Sequence, residues 1–513
     1  MSAARRFRAG PNLRVLAAQR QRRVIYNDDG CAVWGPGNQI NDTPESYLTR
    51  RLANVLDSQV DTVFFNTVMW ADRFSHVPQV GEFVTESMVE ADDPMMKNLC
   101  IGFGKLADAG TDVLQLSLEF CHEHDIEFFW TYRINDAHDV FEIRQVARFK
   151  RENPHLTLGR PEDTALPSTE QRHYWSAFDF THAAVRERRL AIIQDILDRY
   201  NVDGIDLDFF RFPLFFPTVM RGQPATRAER EIMTGLVRQV RTRILAASER
   251  RGRPLLLSVR VPGTLELARS IGLEVDTWLQ EGLVDLIVIS GGYMPLTLPA
   301  DGLCRLAHQH KVQAYVCISA SGLRKTHGEP GAWYAAAAHA FAAGADGIMT
   351  FNYFPHAASE MLATLGDPDT LHWQDKMFGV DWAVPGGYAE HVVPQAGTLP
   401  LPLKPGKDAG LVPFPVSDDL DKAVAAGRLA GLELRLHVPG IGTQPIRLTL
   451  NGRTLAGVRR ENDWLVCEPP HKALRRGRNR LGIVLAPMPT AAQPELQLTD
   501  VQLRIRYRAD TNQ

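Results

Sequence analysis

Between residues 24 and 351, short β-branched or aromatic runs alternate with long amphipathic stretches. This alternation constrains the fold more than any other feature, because it is the pattern of βα units around a parallel sheet. Eight runs are candidate strands: Val24–Asn27, Thr62–Asn66, Glu127–Tyr132, Gly204–Phe209, Leu255–Val259, Leu286–Ile289, Gln313–Ile318 and Gly347–Phe351. Helical segments fill the gaps, among them Pro44–Asp57, Arg186–Tyr200, Arg227–Arg250 and Ala332–Ala343. Ile232, Leu236, Val240 and Ile244 recur at a spacing of four and form a core-facing stripe. Gly344 stands just past a helix end, where a C-terminal cap belongs. Eight units predict a (β/α)8 TIM barrel. An open doubly wound sheet fits the same alternation, but no GxGxxG turn follows the first run. The polar, Pro-containing segment 153–171 reads as a long loop after the third strand, on the face where barrels build their sites.

From about residue 385 the texture changes. VPQAGTLPLPLKPGKDAG is Pro/Gly-rich and reads as a linker. Short alternating runs follow (LELRLHV, IRLTLNG, DWLVCEP, RLGIVLA and LQLTDVQLRIRYR), and Asn451-Gly452 is a hairpin signal. They predict a C-terminal all-β sandwich domain. The expected organisation is a disordered basic arm over 1–22, a catalytic barrel over 23–384, a linker over 385–410 and a jelly-roll-like sandwich over 411–513.

Composition narrows the function. Among 513 residues, 57 Lys+Arg against 60 Asp+Glu give a formal charge of −3, so nothing marks a nucleic-acid binder. The six cysteines form no CxxC pair and are too sparse for a disulfide framework, which predicts reduced, buried thiols. The histidines form no HExxH motif, and there is neither a Walker loop nor a GxSxG elbow. No metal and no cofactor is expected. The basic start lacks an apolar signal region, and no apolar stretch reaches 18 residues. These features predict a cytoplasmic protein without a membrane span. The sequence does not speak to oligomeric state.

The stretch Asp203-Gly204-Ile205-Asp206-Leu207-Asp208-Phe209-Phe210-Arg211-Phe212-Pro213 carries the chemistry. A period of two places Asp206 and Asp208 on the face opposite Ile205 and Leu207. Two carboxylates on an inward face near a strand end suit acid/base chemistry, and they require a raised pKa or a nearby arginine. Asn27-Asp28-Asp29-Gly30 ends the first strand, so Asp28 or Asp29 is the favoured catalytic partner; Asp136 is a further candidate. Asp-Gly as a plain turn former is the competing reading there. Glu329 reads as exposed. Arg133, Arg211 and Arg260 follow the third, fourth and fifth strands. They can grip an acidic sugar through forked donors or neutralise the aspartates. Trp70, Trp130, Tyr293 and Tyr353 offer stacking faces, and Asn27, Asn66, Asn135 and Asn352 offer polar partners, in or just after the strands.

DGIDLDFFRFP resembles the fourth-strand signature of the hypothetical glycosyl hydrolase 10-like barrels. YNDDG and SVRVPGTLELARSIGLEVDTWLQEGLVDLIV are similar to other segments of that group, and the resemblance spans about residues 24–382. The same stretch resembles the family 18 chitinase motif DGxDxDxE, but Phe210 stands where that family has its acidic proton donor. The C-terminal runs resemble galactose-binding-like sandwiches that accompany glycosidases. The resemblance implies a glycoside hydrolase acting on an oligo- or polysaccharide. A non-catalytic carbohydrate-binding barrel and a uronate-acting lyase are the alternatives.

Overall fold

The computed structural model describes residues 11–30, 40–88, 94–141, 145–163, 174–290, 299–319, 329–355, 357–380, 399–404, 406, 408–486 and 495–509. Eight parallel strands close into a barrel: β1 Val24–Asp28, β2 Val60–Asn66, β3 Glu127–Arg133, β4 Gly204–Asp208, β5 Leu256–Val261, β6 Leu286–Ile289, β7 Gln313–Ser319 and β8 Gly347–Phe351. Each pairs with its sequence neighbours, and β8 returns to β1 with Val24 opposite Ile348. The eight expected strands coincide with these, with bounds shifted by at most two residues. The helices that matter below are α1 Pro11–Ala18, α2 Pro44–Arg51, α3 Val113–Glu123, α4 Ala183–Arg199, α5 Arg227–Arg251 and α6 Pro330–Ala342. Leu236, Val240 and Ile244 of α5 are buried as the spacing predicts, and Gly344 takes φ +94° past the end of α6.

Strand parity divides the core in two. Ile25, Phe64, Phe129, Leu256, Leu286, Val288, Tyr315, Cys317, Met349 and Phe351 fill the barrel interior. Val24, Tyr26, Val63, Phe65, Ile205, Leu207 and Val259 pack outward under the helices. Gly204 makes room for this interior. A Cβ there would stand 2.2 Å from the Phe129 ring, which stacks on Phe64 at 4.7 Å.

The base of the barrel is closed by a buried arginine. Arg22 is fully buried and grips Glu127 through two bonds of 2.6 and 2.8 Å, with a third bond of 3.1 Å to Gln313. Thr62 Oγ1 donates to the same Glu127. Residues 11–22, expected in a disordered arm, are therefore structured. Residues 11–18 form α1, and Arg14 bonds Asp285 at 2.7 Å and the Gly282 carbonyl at 2.8 Å. These partners lie far away in sequence, so the basic local texture did not reveal the helix's anchorage.

Two antiparallel sheets form the C-terminal sandwich. One contains Lys376–Gly379, Asp500–Tyr507, Leu429–His437, Trp464–Cys467 and Arg459–Glu461; the other contains Asp408–Val416, Gly477–Leu485, Ile446–Leu450 and Arg453–Thr454. Asn451 and Gly452 both take positive φ (52° and 82°), as the hairpin signal requires. Lys376–Gly379, expected in the barrel, pairs instead with the final strand. Within the expected linker, Leu401–Leu403 is also strand and pairs with Leu496–Leu498. The Leu-Pro alternation sends Leu399 and Leu403 into the sandwich core, so a period of two overrides the Pro-rich texture. Among the described residues, no helix is long and apolar enough to cross a membrane.

Candidate functional site

At the C-terminal mouth, β4 delivers Asp206 and Asp208 inward, because Ile205 and Leu207 belong to the outer core. Flanking strands meet them in register. Thr131 and Ser258 stand beside Asp206, and Arg133 and Arg260 beside Asp208. Asp206 is fully buried and accepts from Thr131 Oγ1 (3.2 Å), Ser258 Oγ (3.0 Å) and Arg260 Nη2 (2.8 Å). Burial raises its pKa and the Asp208 charge adds to the rise, while Arg260 opposes both. Asp208 Oδ1 accepts the backbone N–H groups of Phe210 (2.9 Å) and Arg211 (3.0 Å), and its Oδ2 lies 3.4 Å from Arg260 Nη1. Both consequences expected of paired carboxylates are thus present, an elevated pKa and a neutralising arginine.

Asn27 faces inward from β1, and its Oδ1 accepts from Arg260 Nη1 at 3.2 Å. It orients the arginine that holds the acids. Inward from β8, Phe351 lies 5.9 Å from the Arg260 guanidinium carbon and 6.0 Å from that of Arg211. Residues of β1, β3, β4, β5 and β8 therefore converge on one charged cluster.

Beyond β3 the chain builds a second group. Asp136 is buried and accepts from the His138 backbone N–H (3.0 Å), and its two oxygens lie 3.0 and 2.9 Å from His138 Nδ1. Arg133 Nη1 stands 4.0 Å from Asp136. Burial pushes the Asp136 pKa up, but His138 and Arg133 outweigh it and hold the carboxyl at about 2. His138 Nε2 lies 2.7 Å from Arg211 Nη2. Burial and the Arg211 and Arg133 charges lower the His138 pKa, against the pull of Asp136. The sequence reading did not single out His138 or Phe351. An Asp-x-His turn directly after an inward-facing arginine was the available signal.

Several expected site residues have other work. Asp28 belongs to the outward parity of β1 with Val24 and Tyr26, and it is fully buried there. Arg51 of α2 grips it at 2.5 and 2.9 Å, and Gly30 N–H caps it. This ion pair lies outside the barrel interior, which corrects its expected catalytic role. Asp29 is partly exposed and lies 3.2 Å from the same arginine. Asn66 spends its amide on the Asp29 and Val68 carbonyls and accepts the Val68 N–H, so it fixes a turn. Trp70 packs in the outer core at 5% exposure. Tyr353 is half-buried against Trp333, with its hydroxyl 2.8 Å from Ser359 Oγ. Asn352 takes φ +53°, a turn conformation. Tyr293 lies outside the described residues. Glu329 is exposed as expected and pairs with Arg504. The five described cysteines are free and buried, and Cys31 lies outside the described residues.

No family model matches the chain, and no curated protein matches it. Solved structures do match, at low identity. An alpha-L-fucosidase, isoenzyme 2, from Paenibacillus thiaminolyticus is 12% identical with a TM-score of 0.41; the match covers 68% of this chain and 48% of that one. The chain thus spans about half of that fucosidase's length. The PgaB (BpsB) glycoside hydrolase domain from Bordetella bronchiseptica is 11% identical with a TM-score of 0.38, over 68% of this chain and 96% of that one. An alpha-amylase from Geobacillus thermoleovorans is 10% identical with a TM-score of 0.39, over 90% of this chain and 99% of that one.

Proposed function

We propose that the protein hydrolyses a glycosidic bond in an oligo- or polysaccharide at the mouth of its barrel. The observation that carries this reading is the Asp206–Asp208 pair, facing inward on one strand and clamped by Arg260. Asp208 is the essential carboxylate. Its Oδ1 is pinned by two backbone N–H groups, which leaves Oδ2 as the oxygen to support positive charge at the anomeric carbon. Asp206 lies deeper and is saturated with donors, so it tunes the charge of the pair. Arg133 and Arg211 add positive charge at the rim, which favours a sugar bearing a carboxylate or sulfate.

A panel of neutral and acidic glycans, assayed for reducing-sugar release, tests this reading. Asp208→Asn should lower release by about 10²–10⁴-fold. Release unchanged by Asp208→Asn rejects the assignment of Asp208. Binding without turnover of any glycan favours a carbohydrate-binding barrel.

A second reading has its own observation: the His138 imidazole stands beside the Arg211 guanidinium, which suits proton abstraction next to a neutralised uronate carboxylate. Elimination also releases reducing ends. It differs in giving an unsaturated product that absorbs in the ultraviolet, so absorbance separates a lyase from a hydrolase.

A further inference from the structure

The turn after β3 is anchored twice without help from Asp136 or His138. Asn135 exchanges bonds with the backbone of Phe178 and donates to the Leu214 carbonyl. Asp139 is held by Lys150 at 2.7 Å and by Ser176. The Asp136–His138 pair is therefore not what ties this loop down, and its geometry is that of an oriented imidazole. Asp136 holds Nδ1, and the Phe212 ring meets the imidazole edge-on at 4.7 Å and 89°. A guanidinium only donates, so Nε2 accepts from Arg211 and the ring proton resides on Nδ1. A carboxylate on one ring nitrogen, with the other at the guanidinium of Arg211, three residues past Asp208, is the arrangement of a proton-transfer histidine.

We propose that His138 is the acid/base of this mouth and that Asp136 is its positioning residue. The proposal rests on the hydrolase reading. Protonated Nε2 gives its proton to the glycosidic oxygen as the bond from that oxygen to the anomeric carbon breaks. Asp208 supports the positive charge left on that carbon. Water then adds to the carbon, and Nε2 takes back the proton the water loses. The hydroxyl ends on one sugar, the hydrogen on the other, and His138 and Asp208 return to their starting states. Once protonated, Nε2 no longer accepts from Arg211, so the guanidinium gives way to substrate.

Among the described residues, the charged groups facing the imidazole are Asp136 on its own turn, Arg133 from β3 and Arg211 from the segment after β4, with the Asp139–Lys150 pair behind. The two arginines disfavour the protonated acid. Activity should therefore fall as pH rises through the lowered His138 pKa. Asp136→Asn removes the anion that favours protonation and should move this limb to lower pH.

The test compares one glycone on two leaving groups, a natural oligosaccharide and an aryl glycoside of an acidic phenol. His138→Ala should lose about 10²–10⁴-fold on the oligosaccharide and less than about 10-fold on the aryl glycoside. His138→Gln, which keeps a donor to Asp136, should behave like the Ala variant. Thermal melts of each variant check that the fold persists. Equal losses on both substrates, or no loss on either, overturn the proposal while the hydrolase reading stands. A wild-type protein that hydrolyses no glycan overturns both.

Discussion

Arg260 balances the interior of the barrel. Its guanidinium lies 2.8 Å from Asp206 and 3.4 Å from Asp208, and all three side chains are nearly or fully buried. Removing one partner of a buried ionic group strands the others and costs about 3–5 kcal/mol. Arg260→Ala should lower barrel stability by that order, measured by denaturant unfolding, and adding Asp206→Asn should restore part of the loss. Failure of the second change to restore anything rejects the neutralising role. At this scale, legibility depended on strand parity. DGIDLD alternates cleanly, so its inward acids could be read directly. VIYND does not, because Val24, Ile25 and Tyr26 are all buried on either side of the strand. The parity that sends Asp28 to Arg51 is set by packing under α2. His138 was hidden for a different reason: its partners Arg211 and Phe212 come from the next βα unit.

Strands and helices are tied together by close fits that sequence shows only as residue types. Gly204 of the DGI motif reads as a turn residue in isolation, yet it is the strand position over which the Phe129 ring lies. Gly204→Ala should push that ring off its stack with Phe64 and cost about 1–3 kcal/mol. Phe129→Leu in the same chain should recover some of that cost, read from the two melting midpoints. An unaltered midpoint in the single variant rejects the packing role. The eight strands were legible because each is a short run, rich in β-branched or aromatic residues, set between long amphipathic stretches. The helix α1 was not, since its hold on the barrel is made through Arg14 and Asp285, 271 residues apart.

Barrel and sandwich share a helix. Ala335 of α6 belongs to the sandwich core, and His339 on the same helix packs its ring 5.1 Å from Phe378. Burial lowers the His339 pKa to about 4 and that of His76, under Trp130 and Tyr200, to about 3. Both folded-state values lie below the ordinary 6.5. The unfolded chain therefore binds protons that the native one refuses, and stability falls as pH drops from about 6.5 toward 4 and 3. The melting midpoint should decline over this window, and a flat midpoint between pH 7 and 4 rejects the buried neutral histidines. The two-part plan was legible in the change of texture near residue 385. The junction was not, because Lys376–Gly379 finds its partner at the far end of the chain.

The pairing of β1 with β8 also sets a clock for biosynthesis. The first strand leaves the ribosome with one hydrogen-bonding edge that only Gly347–Phe351 can cover. At about 5–20 residues per second, that edge waits roughly 16–65 s for its partner. The Arg22 plug waits nearly as long for Gln313. Throughout this interval that edge lacks its native partner and is a template for pairing with other chains. A chain of this design calls for shielding while it is being made, and its yield should depend on how fast translation carries it from the first strand to the eighth.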